Sequence, residues 1–309
     1  MLGNDSFSTV LTAHELILME AAVATSLPHP GRIPLHPQLG CTSCVYDRSG
    51  RQALNSIYRG FFSIAREGGL PLLITAPTWR ANRELVKSSD IPDTVNRDAV
   101  EFMQGLRRDL GWNMEHPVLI GGLLGPWGDA YKPELAPGLD EAKEVHAWQA
   151  EELAEAGADF LMAATLPAVE EATGLAQAMA KTGMPYIVSF VIDKQGIVLD
   201  GNTLAQAIES IDAECSQPPT GFMINCSHPS FFYPEKEPSR VLSRIVGYQA
   251  NASYLEHRDL DRAEHIQSDD LENWGNRMLE LHTRWGLKIL GGCCGTGEAH
   301  LRFLAQARK

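Results

Sequence analysis

Long stretches of helical periodicity recur along the chain, and each ends at a glycine that precedes a short apolar run. In the clearest copy, apolar residues with helical spacing extend over Leu54–Ala65, Gly68 follows, and Leu72–Thr75 is the apolar run. Residues 142–163 and 172–191 repeat this order. Glycine is common just after a helix, and a short apolar run is typical of a buried strand. The pattern therefore predicts a repeated helix–strand unit.

Further apolar runs extend the pattern along the chain. They predict strands at Leu16–Met19, Val118–Gly121, Gly221–Ile224, Ile245–Tyr248 and Leu287–Leu290. About eight strands that alternate with helices indicate a parallel α/β architecture. An open doubly wound sheet is the alternative, but the strand number and the 309 residues favour a closed (β/α)8 TIM barrel, which typically needs about 250 residues. We predict that residues 1–309 form this single barrel domain.

Composition limits which binding partners and which cellular compartment we expect for the protein. The 39 acidic residues outnumber the 26 basic ones, for a net charge of -13, and such a surface repels nucleic acid and anionic membranes. No apolar run approaches the roughly 20 residues that span a bilayer, and the N-terminus has no secretory pattern. We therefore expect a cytoplasmic protein with no nucleic-acid or membrane partner. Its six cysteines should be reduced thiols or metal ligands.

Three cysteines follow two of the predicted strands, at the barrel end where chemistry takes place. Asn225 and Cys226 end one strand, and Gly291–Thr296, which contains Cys293 and Cys294, follows another. Neighbouring residues in a strand point to opposite faces, so adjacent cysteines can share one metal only where glycines let the backbone turn. Three thiolates without a fourth protein ligand predict an open Zn²⁺ site. Such a site would bind a substrate thiol and favour its nucleophilic thiolate form.

Other interpretations of these motifs are weaker. A glycine-rich phosphate loop in a metal-free lyase or isomerase would leave the cysteines unexplained, and a non-catalytic zinc or thiol binder is a further alternative. Cys41 and Cys44 form a C-x-x-C pair without a partner pair, so we interpret both as structural or incidental, and Cys215 as an ordinary thiol. Ser227 and Pro229 suggest a loop that would place His228 at the surface.

Five motifs together resemble the homocysteine S-methyltransferase family, which includes betaine–homocysteine and S-methylmethionine–homocysteine methyltransferases. The resemblance covers nearly the whole chain. It is carried by Thr75–Trp79, Gly125–Gly128, Ser189-Phe190 with Asp200-Gly201, Asn225-Cys226 and Gly292–Thr296. It implies the barrel fold, zinc ligation by Cys226, Cys293 and Cys294, and methyl transfer to a thiol.

Two positions depart from the family pattern. Glu20–Thr25 stands where the family has an Asp-Gly-Gly or Asp-Gly-Ala motif, and Ala164 stands where it has a glutamate that helps to hold the amino group of homocysteine. The resemblance still implies substrate contacts for Glu20, Thr25 and Asn225. Loss of one charged hydrogen bond to an ammonium would cost about 1.5–3 kcal/mol. We therefore expect either homocysteine in an altered pocket or a thiol without an α-amino group.

The reaction that these features predict is attack of the thiolate on a methyl group carried by a sulfonium, a quaternary ammonium or a corrinoid. Trp79, Trp127 and Tyr248 lie near predicted strand ends, where aromatic rings could contact a cationic donor. For each ring taken singly, ordinary packing is the more common role. A small-molecule donor is the simplest partner for a chain of this length. The alternative is the methyltransferase subunit of a corrinoid-protein system that acts on another thiol.

Overall fold

A closed eight-stranded parallel barrel forms the centre of the protein. The structure is a computed structural model that describes residues 6–27, 33, 35–111, 116–255 and 269–306. Neighbouring strands pair in chain order, and the first strand also pairs with the eighth, which closes the barrel. The strands are β1 Ile17–Met19, β2 Leu72–Thr75, β3 Val118–Leu124, β4 Phe160–Leu166, β5 Tyr186–Phe190, β6 Gly221–Asn225, β7 Ile245–Ala250 and β8 Ile289–Gly292. The predicted TIM barrel is confirmed.

Helices pack around the barrel and connect its strands. Within the described ranges they are α1 Ser6–Ala13, α2 Arg48–Gly68, α3 Arg83–Lys87, α4 Val95–Asp109, α5 Leu139–Glu155, α6 Val169–Lys181, α7 Leu204–Glu214, α8 Ser239–Leu242, α9 Leu271–Thr283 and α10 Glu298–Ala305. The boundaries of α2 follow from its sequence. Asp47 accepts a hydrogen bond from the Gly50 amide at its start, and Gly69 ends it in a left-handed conformation with φ 62°.

Two apolar cores lie on opposite faces of the strands. The outer core lies between the strands and the helices, whereas the inner core fills the lumen with residues such as Met19, Leu73 and Met162. Phe7 of α1 enters the inner core and stacks on Phe160, with ring centroids 4.7 Å apart. Since Phe160 is the first residue of β4, α1 closes the N-terminal end of the barrel. The residues that carry chemistry are left at the C-terminal end.

No helix in the described part of the chain has the length and apolar character needed to cross a membrane.

Candidate metal and substrate site

The three predicted ligands meet at the C-terminal end of the barrel. Cys226 directly follows β6, while Cys293 and Cys294 directly follow β8, and their sulfur atoms all lie within 4.8 Å of one another. The Cα atoms of Cys226 and Cys293 are 5.4 Å apart, and the Cys294 thiol lies beside them. Neighbouring cysteines therefore do converge on one point, as the flanking glycines predict.

The backbone around the β8 cysteines turns sharply. Gly295 has φ 80°, a left-handed conformation that glycine adopts without strain. The Thr296 hydroxyl donates to the carbonyl of Cys293 over 2.6 Å, and the amide of Cys293 donates to the carbonyl of Ala250 over 2.7 Å. A side chain at Gly292 would collide with Thr296, whose Cβ would lie 2.7 Å from the added Cβ. The glycines thus allow a tight turn that presents both thiols.

The β6 cysteine is held by a different set of contacts. Cys226 is itself left-handed, with φ 53°, although it is not a glycine. The side-chain amide of Asn251 donates to the Cys226 carbonyl over 2.8 Å, and the Cys226 amide donates to the carbonyl of Gln249. Both partners lie on or just after β7, so the adjacent strand fixes the ligand. The sequence pattern does not single out this role for Asn251.

This donor set fits a zinc ion. Soft thiolates are preferred ligands of Zn²⁺, and three of them leave one coordination position for a substrate. Cys226 is 5% exposed, while Cys293 and Cys294 are half-buried. The group is therefore closed on the β6 side and accessible on the β8 side. A thiol substrate would reach such a centre without displacing a protein ligand.

Glu20 lies at the end of β1, next to the β8 cysteines along the barrel rim. Its two carboxylate oxygens accept hydrogen bonds from the Thr75 amide over 2.8 Å and from the Thr75 hydroxyl over 2.5 Å. Its carbonyl accepts from the amide of Gly292, directly before Cys293. Burial raises the pKa of Glu20 to about 7, despite the hydrogen bonds from Thr75, which lower it. A cation bound beside this carboxyl would favour its charged form.

The other two predicted substrate residues differ in exposure. Thr25 lies in a short 3-10 helix, Ala24–Ser26, and is exposed. Asn225 is 2% exposed, and its side-chain oxygen accepts hydrogen bonds from the Thr165 amide and the Ser189 hydroxyl. The substrate contacts of both residues stay predictions. Asn225 clearly organises the neighbouring strand ends.

Trp79 fills the space beside Ala164. Its indole Nε1 donates to the Ala164 carbonyl over 3.3 Å, and its ring packs on the inner core that contains the Ala164 methyl group. A Cβ at Gly125 would lie 2.5 Å from the Trp79 carbonyl oxygen and 2.7 Å from the indole nitrogen. The Thr78 hydroxyl donates to the Leu123 carbonyl and keeps the loop close to β3. Trp79 and Ala164 thus form a largely apolar wall at the ends of β2 and β4.

The remaining aromatic candidates have different surroundings. Tyr248 is fully buried in the outer core and donates its hydroxyl hydrogen to the His228 carbonyl over 3.0 Å, so it is a packing residue and does not face a cationic donor. Trp127 is half-buried, and its amide donates to the buried Glu171 carboxylate over 2.6 Å. Trp127 and Trp79 keep part of their rings accessible and remain candidates.

The prediction of a surface position for His228 is also wrong. The residue is 2% exposed, with Nδ1 2.7 Å from the Ser230 hydroxyl and Nε2 3.4 Å from a carboxylate oxygen of Asp269. Burial lowers the pKa of His228 to about 4, so the ring is neutral at pH 7. Ser227 and His228 do lie in a loop after β6, as predicted, but this loop folds inward and buries the His228 ring.

The C-x-x-C pair does not belong to the group of three converging cysteines. Cys41 and Cys44 are in the short 3-10 helix Cys41–Val45, and neither belongs to the group of converging ligands. Burial raises the pKa of the Cys41 thiol to about 12, and the neighbouring Cys44 and Glu20 act in the same direction. Burial likewise raises the pKa of Cys44, to about 11. Both thiols therefore stay protonated at neutral pH, which agrees with their structural interpretation.

Comparison with known proteins identifies relatives of one enzyme family. The family model described as homocysteine S-methyltransferase matches residues 17–308. Homocysteine S-methyltransferase YbgG of Bacillus subtilis is 23% identical over 314 residues, which cover 96% of this chain and 95% of that protein. Selenocysteine Se-methyltransferase of Brassica oleracea var. italica is 27% identical over 209 residues, which cover 62% of this chain and 57% of that protein.

Solved structures share the fold. The metallated form of the homocysteine methyltransferase MmuM from Escherichia coli superimposes with a TM-score of 0.75 at 18% identity, over 98% of this chain and 99% of that chain. The oxidized form gives a TM-score of 0.76 at 18% identity, over the full length of both chains. With the family match over nearly all of the sequence, these comparisons show that the chain belongs to the homocysteine S-methyltransferase family and is an S-methyltransferase.

Proposed function

We propose that this enzyme transfers a methyl group from a small-molecule donor to a thiol that is activated at a zinc centre. The observation that carries the proposal is the convergence of Cys226, Cys293 and Cys294 within 4.8 Å at the open end of the barrel. Family membership makes the reaction a methyl transfer, so the alternative of a metal-free lyase no longer fits. The zinc ion, the acceptor and the donor are the parts that we propose.

The thiolates of Cys226, Cys293 and Cys294 would hold the zinc ion. Zinc bound there would lower the pKa of a coordinated substrate thiol, so that the nucleophilic thiolate prevails at neutral pH. The protein then needs no general base for the sulfur. Its own task is to align the thiol with the methyl donor, which can lower the barrier by several kcal/mol.

The acceptor proposed here is a thiol of the homocysteine class, with its ammonium group at Glu20. Glu20 is 6% exposed, and burial raises its pKa to about 7. An ammonium within reach would favour ionisation of the carboxyl and gain a charge-assisted hydrogen bond. Thr25 and Asn225 complete the proposed acceptor contacts. The product would be a thioether, such as methionine from homocysteine.

The donor proposed is a sulfonium or quaternary ammonium compound. After transfer of its methyl group such a donor leaves as a neutral thioether or amine, so no acid is needed to protonate the leaving group. The half-buried indole rings of Trp79 and Trp127 could contact the cation through their faces. The guanidinium of Arg80 lies 5.8 Å from the Trp79 ring centroid, and the Trp127 ring lies edge-on to the His146 ring of α5 with centroids 6.4 Å apart.

Metal analysis and turnover test this proposal together. Protein purified under reducing conditions should contain about one zinc ion per chain, and Cys226→Ser or Cys293→Ser should lose it. Cys215→Ser is the matched control, because this buried cysteine ends α7 and precedes β6, at the opposite end of the barrel. Turnover should be measured with homocysteine against S-methylmethionine, S-adenosylmethionine, betaine and methylcobalamin.

Two outcomes would overturn the proposal. Metal-free protein that takes up no added zinc under reducing conditions would remove the proposed centre. Turnover with methylcobalamin alone would replace the small-molecule donor with a corrinoid. Zinc that is bound by the wild type and by Cys215→Ser but lost in both site variants supports the assigned ligands.

A further inference from the structure

Two residues other than glycine have a left-handed backbone within the described ranges. They are Cys226, with φ 53°, and Thr165, with φ 63°, near the end of β4. A β-branched residue such as threonine disfavours this conformation, and such strain persists only where surrounding contacts enforce it. The two side chains meet, since the Thr165 hydroxyl lies 3.8 Å from the Cys226 sulfur. The strained backbone at β4 is therefore coupled to a proposed metal ligand.

Hydrogen bonding sets the direction of the Thr165 hydroxyl. The Thr165 amide can only donate, so the group 2.8 Å away must be the side-chain oxygen of Asn225. That oxygen also accepts from the Ser189 hydroxyl over 2.7 Å. The Asn225 side-chain nitrogen then faces the Thr165 hydroxyl oxygen and donates to it over 2.7 Å. Because this oxygen acts as an acceptor there, the hydroxyl hydrogen of Thr165 is free to point at the Cys226 sulfur.

Burial makes this chain of contacts rigid. Thr165, Ser189 and Asn225 are at most 3% exposed, and they connect the ends of β4, β5 and β6. Buried polar groups that satisfy one another hold a single arrangement, because an unpaired one is costly. A hydroxyl in such a network offers its hydrogen to the sulfur from a fixed direction.

We propose that Thr165 is a positioning residue for the metal centre, with its hydroxyl donating a hydrogen bond to the sulfur of Cys226. The bond orients the Cys226 thiolate toward the other two ligands and withdraws part of its negative charge. Hydrogen bonds from outside the ligand set tune metal centres in this way, and their loss typically costs 10–100-fold in metal affinity or activity. The inference rests on the proposed zinc site.

Thr165→Val tests the inference, because valine has the same branched shape but no hydroxyl group. We expect zinc affinity, measured by competition with a chelator in reducing buffer, to fall about tenfold or more. In cobalt-substituted protein the thiolate-to-metal charge-transfer band should shift. Thr165→Ser keeps the hydroxyl, so its zinc affinity and the position of its cobalt band should be close to those of the wild type. Thr173→Val is the matched control, since this buried hydroxyl donates to the Val169 carbonyl within α6.

A glycine variant separates the metal effect from folding. Thr165→Gly relieves the left-handed strain, so it should fold at least as well as Thr165→Val while still losing zinc affinity. If Thr165→Val and Thr165→Gly bind zinc as tightly as the wild type, with unchanged cobalt spectra, the inference is wrong while the zinc site stands. A wild type that binds no zinc would instead overturn the proposed function. Loss of affinity in Thr173→Val to the same extent would also contradict a specific role for Thr165.

Discussion

The two sides of the barrel mouth are built in different ways. On the side of β6 and β8, which we call the metal side, the proposed zinc ligands are adjacent in sequence or follow a strand directly, and local turns at Gly295 and Cys226 set their geometry. On the side of β1 to β4, Glu20, Trp79 and Ala164 come from three separate strand ends. The metal side therefore depends on short motifs, whereas the substrate side depends on which side chains the fold brings together.

This difference separates the chemistry of the enzyme from its specificity. A zinc ion held by the three cysteines, as proposed, would activate a substrate sulfur whatever carbon chain carries it. The substrate side instead presents the buried carboxyl of Glu20 and the wall of Trp79 and Ala164. Substitutions on the metal side should abolish turnover with every acceptor, while substitutions on the substrate side should change the preference among acceptors.

The largest effect is expected for Cys294→Ser. Serine offers a harder, less readily ionised ligand than cysteine, so zinc should be lost. Activity should fall by more than the roughly 100-fold that loss of an outer-shell partner costs. Zinc content and turnover with at least two thiols measure the effect. If one thiol were still methylated at the wild-type rate, the separation between the two sides of the mouth would be wrong.

The next effect is expected for Glu20→Gln. Loss of a charged hydrogen bond to an ammonium should cost about 1.5–3 kcal/mol, which corresponds to a rise of roughly tenfold to a hundredfold in the KM for homocysteine. A thiol without an amino group should show little change, and zinc content should stay constant. An equal loss for both acceptors would indicate that Glu20 serves the structure and does not bind the ammonium.

The raised pKa of Glu20 should make both the stability of the fold and the KM for homocysteine depend on pH. Burial raises this pKa from its ordinary value of 4.5 to about 7, so the folded protein retains the proton that the unfolded chain loses. This group therefore lowers stability as pH rises from about 4.5 to 7, and the penalty is constant above that range. Binding of an ammonium requires the carboxylate, so the KM for homocysteine should increase as pH falls below about 7. Glu20→Gln should remove that dependence.

The contrast between local motifs and assembled contacts also explains what the sequence could predict. Residues 72–75 were predicted as a strand with the observed limits, because an apolar run after a glycine is a local signal. The third strand was predicted to end at Gly121 but continues to Leu124. Gly121 and Gly122 serve close packing there, since added Cβ atoms would meet Phe160 and Leu153 at 2.6 and 2.8 Å.

The same reasoning applies to the site. The group of three cysteines was predicted because glycines and strand ends surround it in the sequence. The roles of Thr165 and Asn251 were not, because each depends on a partner that lies 61 or 25 residues away. His228 was misplaced because loop signals do not reveal that Phe231 and Asp269 pack against the ring. Features that depend on a short motif can therefore be predicted from the sequence, whereas those that depend on contacts between distant residues cannot.

A smaller, more local effect is expected for Gly125→Ala. The added Cβ would lie 2.5–2.8 Å from atoms of Trp79, so the indole must move away from the Ala164 carbonyl. Overpacking of this kind typically lowers the free energy of unfolding by about 1–3 kcal/mol. Thermal unfolding measures that loss, and the ratio of KM values for two acceptors measures the altered wall. Gly105→Ala is the control, because its Cβ would meet only the end of the Arg108 side chain, at 3.8 Å.

The smallest effect is expected for Cys41→Ser, which tests whether any cysteine near the mouth can serve the metal. Cys41 lies outside the group of three converging sulfur atoms, and burial raises the pKa of its thiol to about 12. Zinc content and affinity should therefore match the wild type, in contrast to Cys294→Ser. The pH profile for homocysteine should also match the wild type, because the Cys41 thiol is protonated near pH 7 and carries no charge that could act on Glu20. A substantial loss of zinc in Cys41→Ser would show that residues outside the ends of β6 and β8 also hold the metal. The metal side of the mouth would then include the loop that carries Cys41.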